Sequence, residues 1–152
     1  ALDDGLAVVR ALLGGGPVSF QGSVHHVEAP AFLPAPLQQP LPVWAACRWP
    51  RQRPLLRAAR LEGCFPIFGG GWPPPPPDPA EVRLLLERLQ ELGAGDDYDL
   101  AVTHASWARP EPPAPVLRQL AAAGATWWLE WLGPEGITPE DAEQVVRRGP
   151  PT

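Results

Sequence analysis

Leu41-Pro-Val-Trp-Ala-Ala-Cys-Arg-Trp-Pro50, followed by Arg53-Pro-Leu-Leu-Arg-Ala-Ala-Arg60 and Gly63-Cys-Phe-Pro-Ile67, decides the fold class of this chain. An apolar run gives way to a polar turn, then to a helix-like pattern, then to a second apolar run. Strand, loop, helix, strand is the repeating unit of a parallel α/β fold. In such folds ligands bind at the carboxyl ends of the strands, where the βα loops gather. The first strand runs from Val43 to Cys47, which makes Ala46, Cys47, Arg48 and Trp49 the first candidates for a site.

Outward from this stretch the same alternation continues. A helix is expected over 53–61, with Pro54 tolerated in its first turn, and a second strand over 63–68. Residues 69–77, rich in Gly and Pro, are expected to form an irregular loop. Asp78-Pro-Ala-Glu81 then combines an N-cap acceptor, a proline at the first helical position and a capping-box glutamate. Val82, Leu85, Leu86, Leu89 and Leu92 trace one apolar stripe from there until Gly93. Leu100 to Thr103 reads as a third strand, Pro115 to Ala123 as a helix, and Ala125 to Trp131 as a fourth strand. Thr138-Pro-Glu-Asp141 caps a last helix through Arg148, with Ala142, Val145 and Val146 expected to face inward.

The amino-terminal part is different. Leu2, Leu6, Val9 and Leu13 recur at helical spacing before Gly14-Gly-Gly16. Each could contribute about 1.5–3 kcal/mol on burial, so this helix is expected to dock. Two short extended pieces, Val18 to Phe20 and Val24 to Val27, flank Gly22, and Ala31 to Pro42 is proline-rich. Residues 17–40 therefore read as a small hairpin and loop inserted into an α/β chain. The expected architecture is a partial (β/α)8 barrel of the TIM type: about four parallel strands with their helices, plus this hairpin, in one domain over 1–152.

Composition narrows the function. The 152 residues carry a net charge of −5, so there is no basic footprint for nucleic acid or for an anionic membrane. All 12 basic residues are Arg, and Lys, Asn and Met are absent, a pattern that reads as GC-rich coding rather than as a functional device. No apolar run approaches the ~20 residues of a membrane helix, and no secretory leader is visible, so a cytoplasmic protein with free thiols is expected. Cys47 and Cys64 lack CxxC spacing and a nearby histidine, so no metal site is expected.

The individual candidates carry unequal weight. Arg48 reads either as a phosphate-binding fork or as a solvated loop arginine, and Trp49 either as a wall of the pocket or, better, as filling at the mouth of the barrel. No base is set beside Cys47 by the sequence, which favours a small buried thiol over a nucleophile. Cys64 begins the next strand and is expected at the opposite end from Cys47, so a disulfide between them is not expected. Adjacent His25 and His26 point to opposite faces of a strand and cannot easily share a metal. His104, with Ser106 and Trp107, either faces the site or is a polar loop residue; no spaced Asp completes a triad. On the fourth strand, alternation puts Trp127, Leu129 and Trp131 on one face and Trp128 and Glu130 on the other, without saying which face is inward. Glu130 accordingly reads as a ligand contact or as a rim carboxylate. Pro73 to Pro77 could serve as a polyproline ligand, but a stiff loop suits the composition better.

Taken in order, Leu2-Asp-Asp-Gly-Leu6, Phe20-Gln-Gly22 with His26-Val27, Phe32-Leu-Pro-Ala-Pro-Leu-Gln38, Pro42-Val-Trp-Ala-Ala-Cys-Arg-Trp-Pro50, Glu62-Gly-Cys-Phe-Pro66 and Ala123-Gly-Ala-Thr-Trp-Trp-Leu-Glu130 resemble the carboxyl half of the bacterial-luciferase-like, flavin-dependent oxidoreductases. That resemblance covers nearly the whole chain. It implies a TIM-type barrel that binds reduced flavin mononucleotide (FMN) or a deazaflavin. The implied chemistry is hydride transfer or monooxygenation of a small organic substrate. It also implies cofactor contacts over Ala45, Ala46, Cys47, Arg48 and Trp49. Where the family often has Gly-Gly, this chain has Ala46-Cys47, whose side chains crowd a close backbone approach. Family members set up catalysis from earlier strands. The chain is therefore expected to be incomplete and inactive alone, and to need a complementing half or a homo-oligomer. A non-catalytic partner module is the alternative expectation.

Overall fold

The computed structural model describes residues 1–69, 71, 73–109, 113–133 and 136–150; residues 70 and 72 of the expected Gly/Pro loop lie outside them. The chain divides into two compact units, Ala1–Pro42 and Val43–Thr152. The first holds helix α1 (Leu2–Leu13) and an antiparallel hairpin of β1 (Val18–Gln21) and β2 (His26–Ala29), with Phe20 opposite Val27. The Asp4 carboxylate accepts from the Val24 amide (2.8 Å) and the Ser23 hydroxyl (2.9 Å), which ties α1 to the hairpin turn. The Val24 amide, then the Ser23 hydroxyl, hold this carboxyl below its usual range. The apolar stripe of α1 is only partly covered: Leu6 and Leu13 are half-buried, whereas Leu2 and Val9 remain exposed.

The second unit is a mixed α/β layer. It runs β3 (Trp44–Arg48), α2 (Gln52–Ala58), β4 (Gly63–Ile67), α3 (Pro79–Glu91), β5 (Asp99–His104), α4 (Pro113–Ala122), β6 (Trp127–Glu130) and α5 (Pro139–Arg148), with a 3-10 turn at Ser106–Ala108. The four strands form one parallel sheet in the order β3-β4-β5-β6. Element ends depart from the periodicity by a few residues, and local hydrogen bonding accounts for two of these shifts. Arg60 and Leu61 donate three residues back, to Arg57 and Ala58, which tightens the end of α2 before its expected limit. The Ala125 amide closes α4 through Leu120 and is not available to lengthen β6.

Alternation along the strands sorts the sheet into two faces. Cys47, Cys64, Leu100 and Val102 point to the helix layer and pack with Leu55, Val82, Leu85, Leu89 and Leu120 in one buried cluster. Asp78 caps α3 by accepting from Ala80 (2.8 Å), so the stripe Val82–Leu85–Leu89 is aimed squarely at this face. Tyr98 donates its buried hydroxyl to the Ala58 carbonyl (2.9 Å), pinning the end of α2 to the start of β5. Helix α5 behaves differently. None of its residues is fully buried: of the expected inward set Ala142 and Val145 are half-buried, whereas Val146 is 65% exposed. No described helix is long and apolar enough to cross a membrane.

The two cysteines also differ from expectation. They are not at opposite ends of the fold. The register sets Cys47 against Pro66, which leaves Cys64 one same-face step away on the neighbouring strand. The thiols hydrogen-bond each other and remain free. That bond and burial push the Cys64 thiol up, and burial does the same to the neighbouring Tyr98 hydroxyl.

Candidate site at the carboxyl ends of the strands

The other face of the sheet is open. At its amino end Trp44 and Trp127, from the two edge strands, bring their rings to 5.5 Å over the inner strands. Gly63 permits this, because a Cβ there would come within 2.6 Å of both the Trp44 ring and the Asp99 carbonyl. The Trp127 indole donates to the Asp99 carboxylate (2.8 Å). Toward the carboxyl ends the face is less filled: Ala46 is exposed, and Ile67 and Leu129 are 39% and 37% exposed.

Pro66 shapes what lies above. The Asp99 amide donates to the Glu62 carbonyl (2.9 Å), so in a parallel ladder residues 62, 64 and 66 turn their backbone groups toward β5. Pro66 has no N–H to donate, and pairing between β4 and β5 stops after Gly63↔Asp99 and Cys64↔Leu100. By contrast, β3 and β4 pair over five residues, up to Arg48↔Ile67.

A cleft of about 300 Å³ opens at this level, at the low end of ligand-pocket sizes. Arg48, Phe65, Ile67, Thr103 and Trp131 line it from the strands and their ends, and Pro74, Pro75 and Pro77 close one side. Arg48 is exposed and forms no ion pair among the described residues. Thr103 spends its hydroxyl on the Leu129 carbonyl (2.9 Å). The cleft thus offers one unpaired guanidinium between apolar and aromatic walls, a combination suited to a flat ring carrying an anionic group.

The residues singled out in the sequence fall on both faces. Arg48 lines the cleft, and Ala46 lies lower on the same open face. Cys47 is buried on the helix side, and Ala45 and Trp49 pack against that core. Glu130 and Trp128 also belong to the helix side, whereas Trp127 and Leu129 belong to the open one. His25 precedes β2 and His26 begins it, both exposed.

His104, opposite Glu130 in the register, is buried and donates from Nδ1 to the Pro74 carbonyl (3.2 Å). It thereby fastens the proline wall of the cleft instead of facing into it. Burial pushes its pKa below the usual imidazole value, against the opposing pull of the Pro74 bond and of Glu130, and the Trp128 ring stands edge-on at 5.3 Å. Glu130 accepts from the Ser106 amide (2.7 Å) and the Trp128 indole (3.3 Å), a bracket holding the turn after β5. Pro77 is buried and Pro73 to Pro76 are half-buried, so the proline run turns much of its surface to its own chain.

Sequence reasoning passed over Pro66, Phe65 and Thr103. A proline inside an otherwise apolar strand was the available signal, since it marks a broken ladder. Comparison with protein-family models and with curated proteins gave no match.

Proposed function

We propose that Val43–Thr152 is the carboxyl half of a luciferase-like (β/α)8 barrel and carries part of the rim that binds FMN or a deazaflavin. The enzyme would be a cytoplasmic oxidoreductase of the monooxygenase type acting on a small organic substrate. The observation that carries this reading is the cleft at the strand carboxyl ends, with Arg48 set among Phe65, Ile67 and Trp131. The meeting of Trp44 with Trp127 across two intervening strands supports a sheet that curls toward its open face.

The residues present fit such a cofactor at both of its ends. The Arg48 guanidinium suits the phosphate and would hold it bidentately. Phe65 and Trp131 supply apolar walls for the tricyclic ring. Of the two side chains standing where relatives often have Gly-Gly, only Ala46 adds bulk to the open face; Cys47 is turned into the helix layer. When bound, the flavin supplies the redox chemistry. The residues of this chain bind and orient it, and the Pro74–Pro77 wall, held by neutral His104, shields one side of it from water.

Fluorescence titration with FMN and with riboflavin tests the proposal. Arg48→Ala is expected to weaken FMN binding by about tenfold or more, on the scale of a charge-assisted hydrogen bond, and to leave riboflavin binding unchanged. Equal FMN affinity in the two proteins contradicts the assignment.

The open face favours a second reading, a partner module that pairs with another subunit. Trp127 is 50% exposed there, and the Trp44 indole N–H is buried without an acceptor among the described residues. The outer edges of β3 and β6 pair with no described strand. Light scattering after size exclusion decides: an assembly that binds no flavin supports this second reading, and a monomer that binds FMN through Arg48 supports the first.

A further inference from the structure

Two adjoining clefts lie beside α5, at the carboxyl ends of β5 and β6. One, of about 620 Å³, is lined by Trp107, Arg109, Gln144 and Arg148; the other, of about 330 Å³, by Trp128, Leu132 and Val146. They share Ser106, Val145 and Arg148, and neither has a lining residue in common with the Arg48 cleft. The first is polar and the second largely apolar, so together they form one groove with two chemically distinct halves.

Charge decides what fits the polar half. The chain carries 17 acidic residues against 12 arginines, yet Arg109 and Arg148 form no ion pair among the described residues. Two carboxylates also line the groove, one in each half, and each is held by hydrogen bonds. Asp141 accepts from the Thr138 hydroxyl (2.8 Å), and Glu130 holds the Ser106 amide and the Trp128 indole. Trp107 is fixed in place: its indole donates to the Trp131 carbonyl (2.6 Å), and its ring packs over Gly136, where an added Cβ would stand 3.3 Å away. Two guanidiniums with no ion pair among the described residues, beside a fixed indole, give this half a seat for an anion. In the adjoining half Trp128, Leu132 and exposed Val146 gain by being covered with apolar surface, and Glu130, which also lines it, disfavours a second anion there.

We propose that this double groove binds an amphipathic carboxylate, its head on Arg109 and Arg148 and its aliphatic or aryl tail along Trp128, Leu132 and Val146. This site is separate from the flavin reading and stands without it.

Isothermal titration of the full chain with sodium octanoate, acetate and octan-1-ol tests it. Octanoate is expected to bind saturably at one site. Acetate, the head alone, is expected to bind at least about tenfold more weakly. The double variant Arg109→Ala/Arg148→Ala is expected to lose about tenfold or more in octanoate affinity and nothing in octanol affinity. Exposed Arg83→Ala on α3 serves as the control and is expected to behave as the parent. The inference is overturned if octanoate does not bind, if the double variant binds it as well as the parent, or if acetate matches octanoate. FMN titrations of the same double variant are expected to match the parent, so failure here and failure of the Arg48 assignment remain distinguishable.

Discussion

The two faces of the four-stranded sheet are built from the same strands and do opposite things. On the helix side Cys47, Cys64, Leu100 and Val102 are at most 1% exposed under α2, α3 and α4, whereas on the open side Ile67, Leu129 and Trp127 keep 37–50% of their surface. The difference separates a buried, stabilising face from one that stays accessible. One face supplies the burial that holds the layer together, and the other keeps apolar and aromatic surface available at the level where Arg48 ends β3.

Substitutions should register this asymmetry. The largest effect is expected for Leu85→Ala on α3, fully buried against the sheet, which should cost about 2–5 kcal/mol in urea unfolding. A cost near zero would show that the helix layer is not the core. Tyr98→Phe comes next: it removes one buried hydrogen bond, while the Ala58 carbonyl keeps the Leu61 amide, so the cost should be about 0.5–1.5 kcal/mol. On the open face Leu129→Ser should change stability by about 1 kcal/mol or less; a loss as large as that of Leu85→Ala would mean the face is covered.

His104 sharpens the comparison through pH. Burial, above all, holds its folded pKa below the usual imidazole value of about 6.5, so the unfolded chain takes up the proton first. Its stabilising contribution is therefore complete above about pH 6.5 and declines as pH falls from there toward the depressed folded value. His104→Gln should flatten unfolding midpoints across that acidic window. An unchanged slope would place the ring in solvent and detach the proline wall from β5.

Much of the layer was legible in the sequence. The stripe Val82–Leu85–Leu89 and the cap at Asp78 are local signals, and the structure keeps both. Four strands in parallel order follow from alternating apolar runs and helical patterns. Register was not legible, because it depends on how neighbouring strands slide, and so Cys47 and Cys64 turn out to be neighbours. The face of Trp127 against Trp128 was equally open, since alternation fixes opposition but not direction. For the site, Arg48 could be read from its place after an apolar strand. Phe65 and Thr103 could not, because their approach depends on the ladder that Pro66 interrupts. Nor could the exposure of Val146 on α5, since its spacing fits an inward position as well as an outward one.

The central claim is that the open face, at its carboxyl end, is where a phosphate-bearing flavin settles. Amide and indole chemical-shift mapping during FMN titration tests it most directly. The account predicts perturbations at Arg48, Phe65, Ile67, Thr103 and the Trp131 indole, with Leu85, Leu89 and Val102 unmoved. Shifts confined to the helix layer, or none at saturating FMN, would contradict it.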